Sequence, residues 1–183
     1  EPGCPLVGKG QYAMTWCFTA EREYAAVAEI LERLSQAYPD AWVLAFILAE
    51  VRYLQGNTQD SLHQFAQLSA RYPDIFPIGM VYTDYLIRDK KPVLAKKCLN
   101  RFMDRYSDSL TFQQRLTQIH RLLGDLSGVH QAQAEWHLLR GNTKAAKLQV
   151  ELAIAQLNTS KDLIEMAKID VIKDKIQACE KMQ

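Results

Sequence analysis

The sequence predicts an all-α fold: an α-solenoid of about four to five helical hairpins, closed by a C-terminal capping helix. Three observations carry this. First, Tyr38-Pro39-Asp40 recurs 34 residues on as Tyr72-Pro73-Asp74, and a further step reaches Tyr106-Ser107-Asp108. Second, the same step links a small series (Thr15, Ala49, Thr83, Thr117) and the large apolar series just before it (Met14, Leu48, Tyr82, Leu116), with Leu34, Leu68, Phe102 and Trp136 as a third. Third, Gly56-Asn57-Thr58 returns as Gly141-Asn142-Thr143. Gly accepts the left-handed backbone that ends a helix, and Asn and Thr are cap-forming residues.

A 34-residue period is the tetratricopeptide length, two antiparallel helices per repeat. The small residue lets the two helices approach, the large ones fill between them, and Pro falls where a helix has ended. Repeats fall near 8–41, 42–75, 76–109 and 110–143, in a single domain spanning 1–183. First helices are expected near 10–20, 41–54, 75–88 and 109–122, and second helices near 24–37, 58–71, 92–105 and 127–140. The second Gly-Asn-Thr lies two and a half periods after the first, so the phase slips by half a repeat. Helix 127–140 therefore also opens a fifth hairpin, with its partner near 144–156. A last helix, near 161–181, places Ile169, Ile172, Ile176 and Cys179 on one face and reads as the cap.

Lys plus Arg number 22 and Asp plus Glu 21, for a net charge of +1. A sequence-independent nucleic-acid binder needs a basic surplus to displace phosphate counterions, so nucleic acid is not an expected partner. The longest apolar run, Ala41 to Ala49, is far short of the roughly 20 residues of a membrane span. The chain begins at Glu1 rather than Met, and a processed protein or a piece of a longer one is expected. Cys4, Cys17, Cys98 and Cys179 are scattered, without the close spacing of a zinc site. They read as free thiols, with disulfides as the alternative. Motifs for a zincin, a phosphate-binding loop, a dinucleotide fold or a serine-hydrolase elbow do not occur. His130 and His137 could share a helix face, but no acidic or thiol partners stand beside them. Catalysis, a metal and a cofactor are accordingly not expected of this chain.

The expected function is protein binding. By register, the first helices present Tyr12 and Trp16, then Val43, Phe46, Glu50 and Tyr53, then Met80, Asp84, Ile87 and Arg88, then Gln114, Gln118 and Arg121 to an inner, concave wall. The binding set is Tyr12, Trp16, Phe46, Glu50, Tyr53, Met80, Asp84, Arg88, Gln118 and Arg121. Aromatic and Arg anchors within a polar rim are what protein interfaces use. The competing reading turns Phe46 and Trp16 between the helices, because a one-residue register error swaps the two faces.

The order of these segments resembles the C-terminal tetratricopeptide domain of BepA-like periplasmic zinc metalloproteases, which assist β-barrel assembly in the bacterial outer membrane. The likeness runs from Tyr12-Ala13 through Glu23-Tyr24, Tyr38-Pro39 and Asp40-Ala41-Trp42. It continues through Ala95-Lys96-Lys97-Cys98-Leu99-Asn100-Arg101, Leu123-Gly124-Asp125, Ala134 to Gly141, Lys144-Ala145-Ala146 and Ala167-Lys168-Ile169-Asp170. It implies a periplasmic module that docks substrates or outer-membrane assembly partners and covers its own protease domain. Zinc is then expected only in that separate domain, whose H-E-x-x-H helix is absent here. The alternative is a free-standing adaptor or secretion chaperone of the same shape, which would admit a cytoplasmic location.

Overall fold

The computed structural model describes residues 21–157 and 163–181. Among these, every regular element is helical: α1 (Glu21–Ala37), α2 (Trp42–Leu54), α3 (Thr58–Arg71), α4 (Phe76–Arg88), α5 (Pro92–Asn100), α6 (Met103–Tyr106), α7 (Leu110–Leu123), α8 (Leu126–Leu139), α9 (Thr143–Ala155) and α10 (Leu163–Lys181). The fold is all-α, as expected. The first-helix segment near 10–20 lies outside the described residues. No described helix is long and apolar enough to cross a membrane. The chain gathers into two compact units, Glu1–Asp74 and Ile75–Gln183.

In the first unit α2 packs on both α1 and α3. Ala28, Leu31, Leu48 and Val51 are buried together, with Tyr24, Leu44 and Ile47 against them. Phe65 of α3 is fully buried and meets the ring of Phe46 edge-on, centroids 5.7 Å apart. In the second unit α4 pairs with α5, α7 with α8, α8 with α9, and α9 with α10. Helix α8 thus belongs to two hairpins, as the half-repeat slip requires. Ala134, Ala146, Val150 and Ala153 close on Ile169, Ile172 and Ile176, so the terminal helix buries the face anticipated for it.

Four hairpins share one construction. Each carries, one on either helix, small or β-branched residues twelve positions apart: Ala49 and Ser61, Thr83 and Ala95, Thr117 and Val129, Ala134 and Ala146. All eight are buried. The approach in α2/α3 is close enough for the Ser61 hydroxyl to donate to the Ala49 carbonyl at 2.7 Å. Seven positions after the first small residue stands a left-handed one: Gly56, Lys90, Gly124 and Gly141. The next N–H donates back five residues, Asn57 to Arg52, Lys91 to Leu86, Asp125 to His120 and Asn142 to His137, at 2.8–3.0 Å. This is the bond of a Schellman stop, and it satisfies carbonyls a helix end leaves orphaned. Asp125 and Asn142 then cap the following helices by accepting from Gly128 N–H and Ala145 N–H.

Two expectations are corrected. The helix expected over 92–105 breaks after Asn100, and its last turn becomes α6. Around the break the N–H of Phe102 donates to Leu99, three residues back, a tightened turn. Phe102 and Tyr106 then both meet Phe76, the first edge-on at 5.5 Å and the second stacked at 3.8 Å. Aromatic packing overrides the propensity of a short segment. Leu34, expected in the buried series with Leu68 and Phe102, is 38% exposed.

Candidate protein-binding face

The helices that open the hairpins, α2 in one unit and α4 and α7 in the other, carry the residues expected to bind. Tyr12 and Trp16 lie outside the described residues. On α2, Glu50 and Tyr53 are half-buried. Phe46 is not a free wall residue: its ring is held edge-on between Trp42, at 6.1 Å, and Phe65. Met80, one period later, is 7% exposed and belongs to the core. Both corrections have one cause. Adjacent helix positions differ by about 100° around the axis, so a one-residue offset is enough to turn this repeat position away from the wall.

Helices α4 and α7 lie side by side. Asp84 on α4 receives two hydrogen bonds from the Arg115 guanidinium on α7, from Nε at 2.7 Å and from Nη2 at 2.5 Å. Arg115 was not among the expected residues. It follows Asp84 by 31 positions, one period less one helical turn, which places the two opposite each other on neighbouring first helices. Arg88, Gln118 and Arg121 are exposed on the same two helices. Arg88 lies over the Tyr85 ring, 5.6 Å from its centroid. This part of the expected wall is therefore polar and basic, with one acidic group already committed to an arginine.

A cleft of about 470 Å³ opens elsewhere in the second unit, lined from α5, α7, α8 and α10. His120 faces it, with Nδ1 2.7 Å from an Asp125 carboxylate oxygen. The other Asp125 oxygen accepts from the Gly128 N–H at 2.9 Å. Burial, helped by nearby Lys96, holds the His120 imidazole below its ordinary pKa. Burial alone would raise Asp125, but the bonds from Gly128 and His120 outweigh it and hold the carboxyl below its ordinary value. Neutral imidazole donating to a carboxylate fits both shifts. Gln131 of α8 donates to Glu165 of α10 at 2.9 Å, and Lys175 of α10 pairs with Glu135 of α8 at 2.7 Å. The His120 contact was legible only as the spacing of a last helical turn from the following cap. Among the described residues, no group of three or more His, Cys, Asp or Glu gathers as metal ligands would.

No protein-family model matches the chain, and no curated protein matches it.

Proposed function

We propose that this chain is a non-catalytic protein-interaction module of the tetratricopeptide class, whose hairpins stack into a solenoid and present their first helices to partners. The observation that carries the reading is the shared hairpin construction: small pairs twelve apart, a left-handed stop seven positions on, and a back-bond over five residues. One hairpin cannot bury its own apolar stripe, so hairpins of a fixed period are built to stack. The function of such a stack lies on its exposed face, here Arg88, Gln118 and Arg121 beside the Asp84–Arg115 pair. Their chemistry suits an acidic or carbonyl-rich segment of a partner, since Arg forks match carboxylates and carbonyls.

The resemblance gives this reading its specific form. The module would serve a periplasmic zinc metalloprotease of the BepA-like type, docking substrates or outer-membrane assembly partners and covering the protease domain. Zinc would reside in that domain alone. The test is a pull-down with a BepA-like protease domain and with periplasmic extract, comparing the parent with Arg88→Ala/Arg121→Ala. Specific capture by the parent and a loss of tenfold or more in the variant are expected, with unchanged melting. Full retention by a stably folded variant overturns the assignment of this face. In parallel, the purified chain is incubated with casein, with and without zinc. Cleavage that persists through repurification overturns the non-catalytic reading.

A further inference from the structure

The cleft between α5, α7, α8 and α10 has two unlike walls. On α8 and α10 its charges are already matched: Glu165 pairs with Lys168 at 2.6 Å and accepts from Gln131, and Glu135 pairs with Lys175 at 2.7 Å. On α5, Lys96 and Asn100 line the cleft one helical turn apart. Lys96 forms no ion pair among the described residues. His120 lines the same wall from α7. Gly128 makes room for its ring, since a Cβ there would stand 2.1 Å from Nδ1 and 2.5 Å from Cε1. With Nδ1 bound to Asp125, the remaining polar atom of the ring is Nε2, an acceptor in the neutral tautomer. This wall therefore offers a cation, an amide and an acceptor.

An apolar track runs into the cleft from outside. Ile164, Ala167 and Val171 fall on one face of α10 at helical spacing, and all three are exposed, Ile164 at 74% and Val171 at 55%. Val171 also lines the cleft, together with Met103 and the buried Leu116. Exposed apolar surface rimmed by polar groups marks a place that a ligand covers.

We propose that this cleft is a second binding site, which takes the apolar C-terminal residue of a partner polypeptide: its carboxylate on Lys96 and Asn100, its N–H on His120 Nε2, and its side chain on Met103, Leu116 and Val171. The preceding residues of the partner lie along Ile164 and Ala167. The chemistry of the walls selects this occupant. A chain end carries a carboxylate, an N–H and a side chain on one Cα, so a single residue meets all three groups. An internal Asp or Glu brings the charge only by giving up the apolar side chain, and its neighbours in an extended chain point the opposite way. A fatty acid has the charge and the apolar chain but no N–H for His120. The lining sets three lysines against two glutamates, a positive surplus that suits an anion, and a volume of about 470 Å³ is that of a ligand pocket. None of Arg88, Gln118 and Arg121 lines the cleft, so the site is separate from the face proposed above and does not rest on the stacking of hairpins.

Fluorescence anisotropy tests it, with the full chain and an N-terminally labelled peptide, Gly-Ser-Gly-Leu-Val-Leu, made as the free acid and as the C-terminal amide. The acid should bind saturably, and the amide about tenfold more weakly or worse. The acid with its last peptide nitrogen methylated should lose about fivefold, because it brings no N–H to His120. Lys96→Ala should weaken the acid to the level of the amide and leave the amide unchanged, with parent-like melting. Lys144→Ala removes an exposed lysine that does not line the cleft, and should bind the acid as the parent does. Equal binding of acid and amide, parent-like binding of the acid by Lys96→Ala, or no binding of the acid overturns the proposal. Displacement of the labelled acid by dodecanoate as readily as by unlabelled peptide overturns the assignment to a chain end. Failure here leaves the Arg88 and Arg121 face standing, because the pull-down variant of that face changes no residue of the cleft.

Discussion

Lys90 stands at a bend where the other three hairpins use glycine. Its φ of 53° is a conformation that costs a side chain with a Cβ. Lys90→Gly should therefore raise stability by about 0.5–1 kcal/mol, read as a higher urea midpoint with an unchanged slope. Gly141→Ala should do the reverse and cost about 1 kcal/mol, although no neighbouring atom lies within 4 Å of the added Cβ. His120 sets a pH dependence. Its folded pKa lies below the ordinary 6.5, so the unfolded chain binds the proton more readily. Its contribution is then present above that ordinary value and is lost as pH falls through the window beneath it. Asp125, on the same ring, and Glu165, across the cleft, also have lowered pKa values. They cause a further loss, but only in the lower carboxylate range. Melting should fall between about pH 7.5 and pH 5.5, and His120→Gln should flatten that segment while leaving the carboxylate loss below it.

At the scale of the helix, the crossings decide stability. Thr83 is fully buried, and its hydroxyl donates to the Gly79 carbonyl at 2.7 Å. Thr83→Trp has no room in the α4/α5 crossing and should cost about 1–3 kcal/mol or more by overpacking. Phe102→Ala empties the aromatic cluster with Phe76 and Tyr106 and should cost about 3–5 kcal/mol. Chemical denaturation of both variants checks the register of this hairpin, and parent-like stability in both would show the crossing to be misplaced. The Asp84–Arg115 pair joins α4 to α7 with two charge-assisted bonds. Its side chains keep 34% and 18% of their exposure, so solvent screens part of the attraction. Arg115→Ala should cost only about 1 kcal/mol, while freeing the Asp84 carboxylate on the proposed binding face.

At the scale of the whole molecule, the hairpins are variations on one unit. Helix α8 packs on both α7 and α9, with Ala134 in the core it shares with Ala146 and Val150, and this is how the repeat shifts by half a period. The terminal α10 buries Ile169, Ile172 and Ile176 and leaves Lys168, Asp170 and Lys175 in solvent. A repeat array needs a polar-backed end to stay soluble, and α10 meets this only in part, since Leu163, Ile164 and Val171 are also exposed on it. Truncation before Leu163 would expose the face formed by Ala146, Val150 and Ala153. The truncated chain is expected to melt earlier and to aggregate, as light scattering during a thermal ramp would record.

Among the described residues, the sequence by itself determined the helices except for the break within 92–105, their boundaries to within a few residues, the phase slip and the terminal helix. These follow from local chemistry repeated at a fixed period: small residues at crossings, Gly and capping side chains at bends, apolar residues at helical spacing. Leu48, Leu68 and Phe102 were legible as core for the same reason. The tertiary structure decided what periodicity leaves open. It buried Met80 and held Phe46 edge-on against Trp42 and Phe65, because a single residue of offset rotates a side chain by about 100°. It broke the helix after Asn100, because Phe102 and Tyr106 gain more by meeting Phe76 than by continuing a regular turn. It brought Arg115 onto Asp84, His120 onto Asp125 and Gln131 onto Glu165. Two of those three contacts join different helices, and all depend on how side chains meet in three dimensions, which a one-dimensional period does not fix.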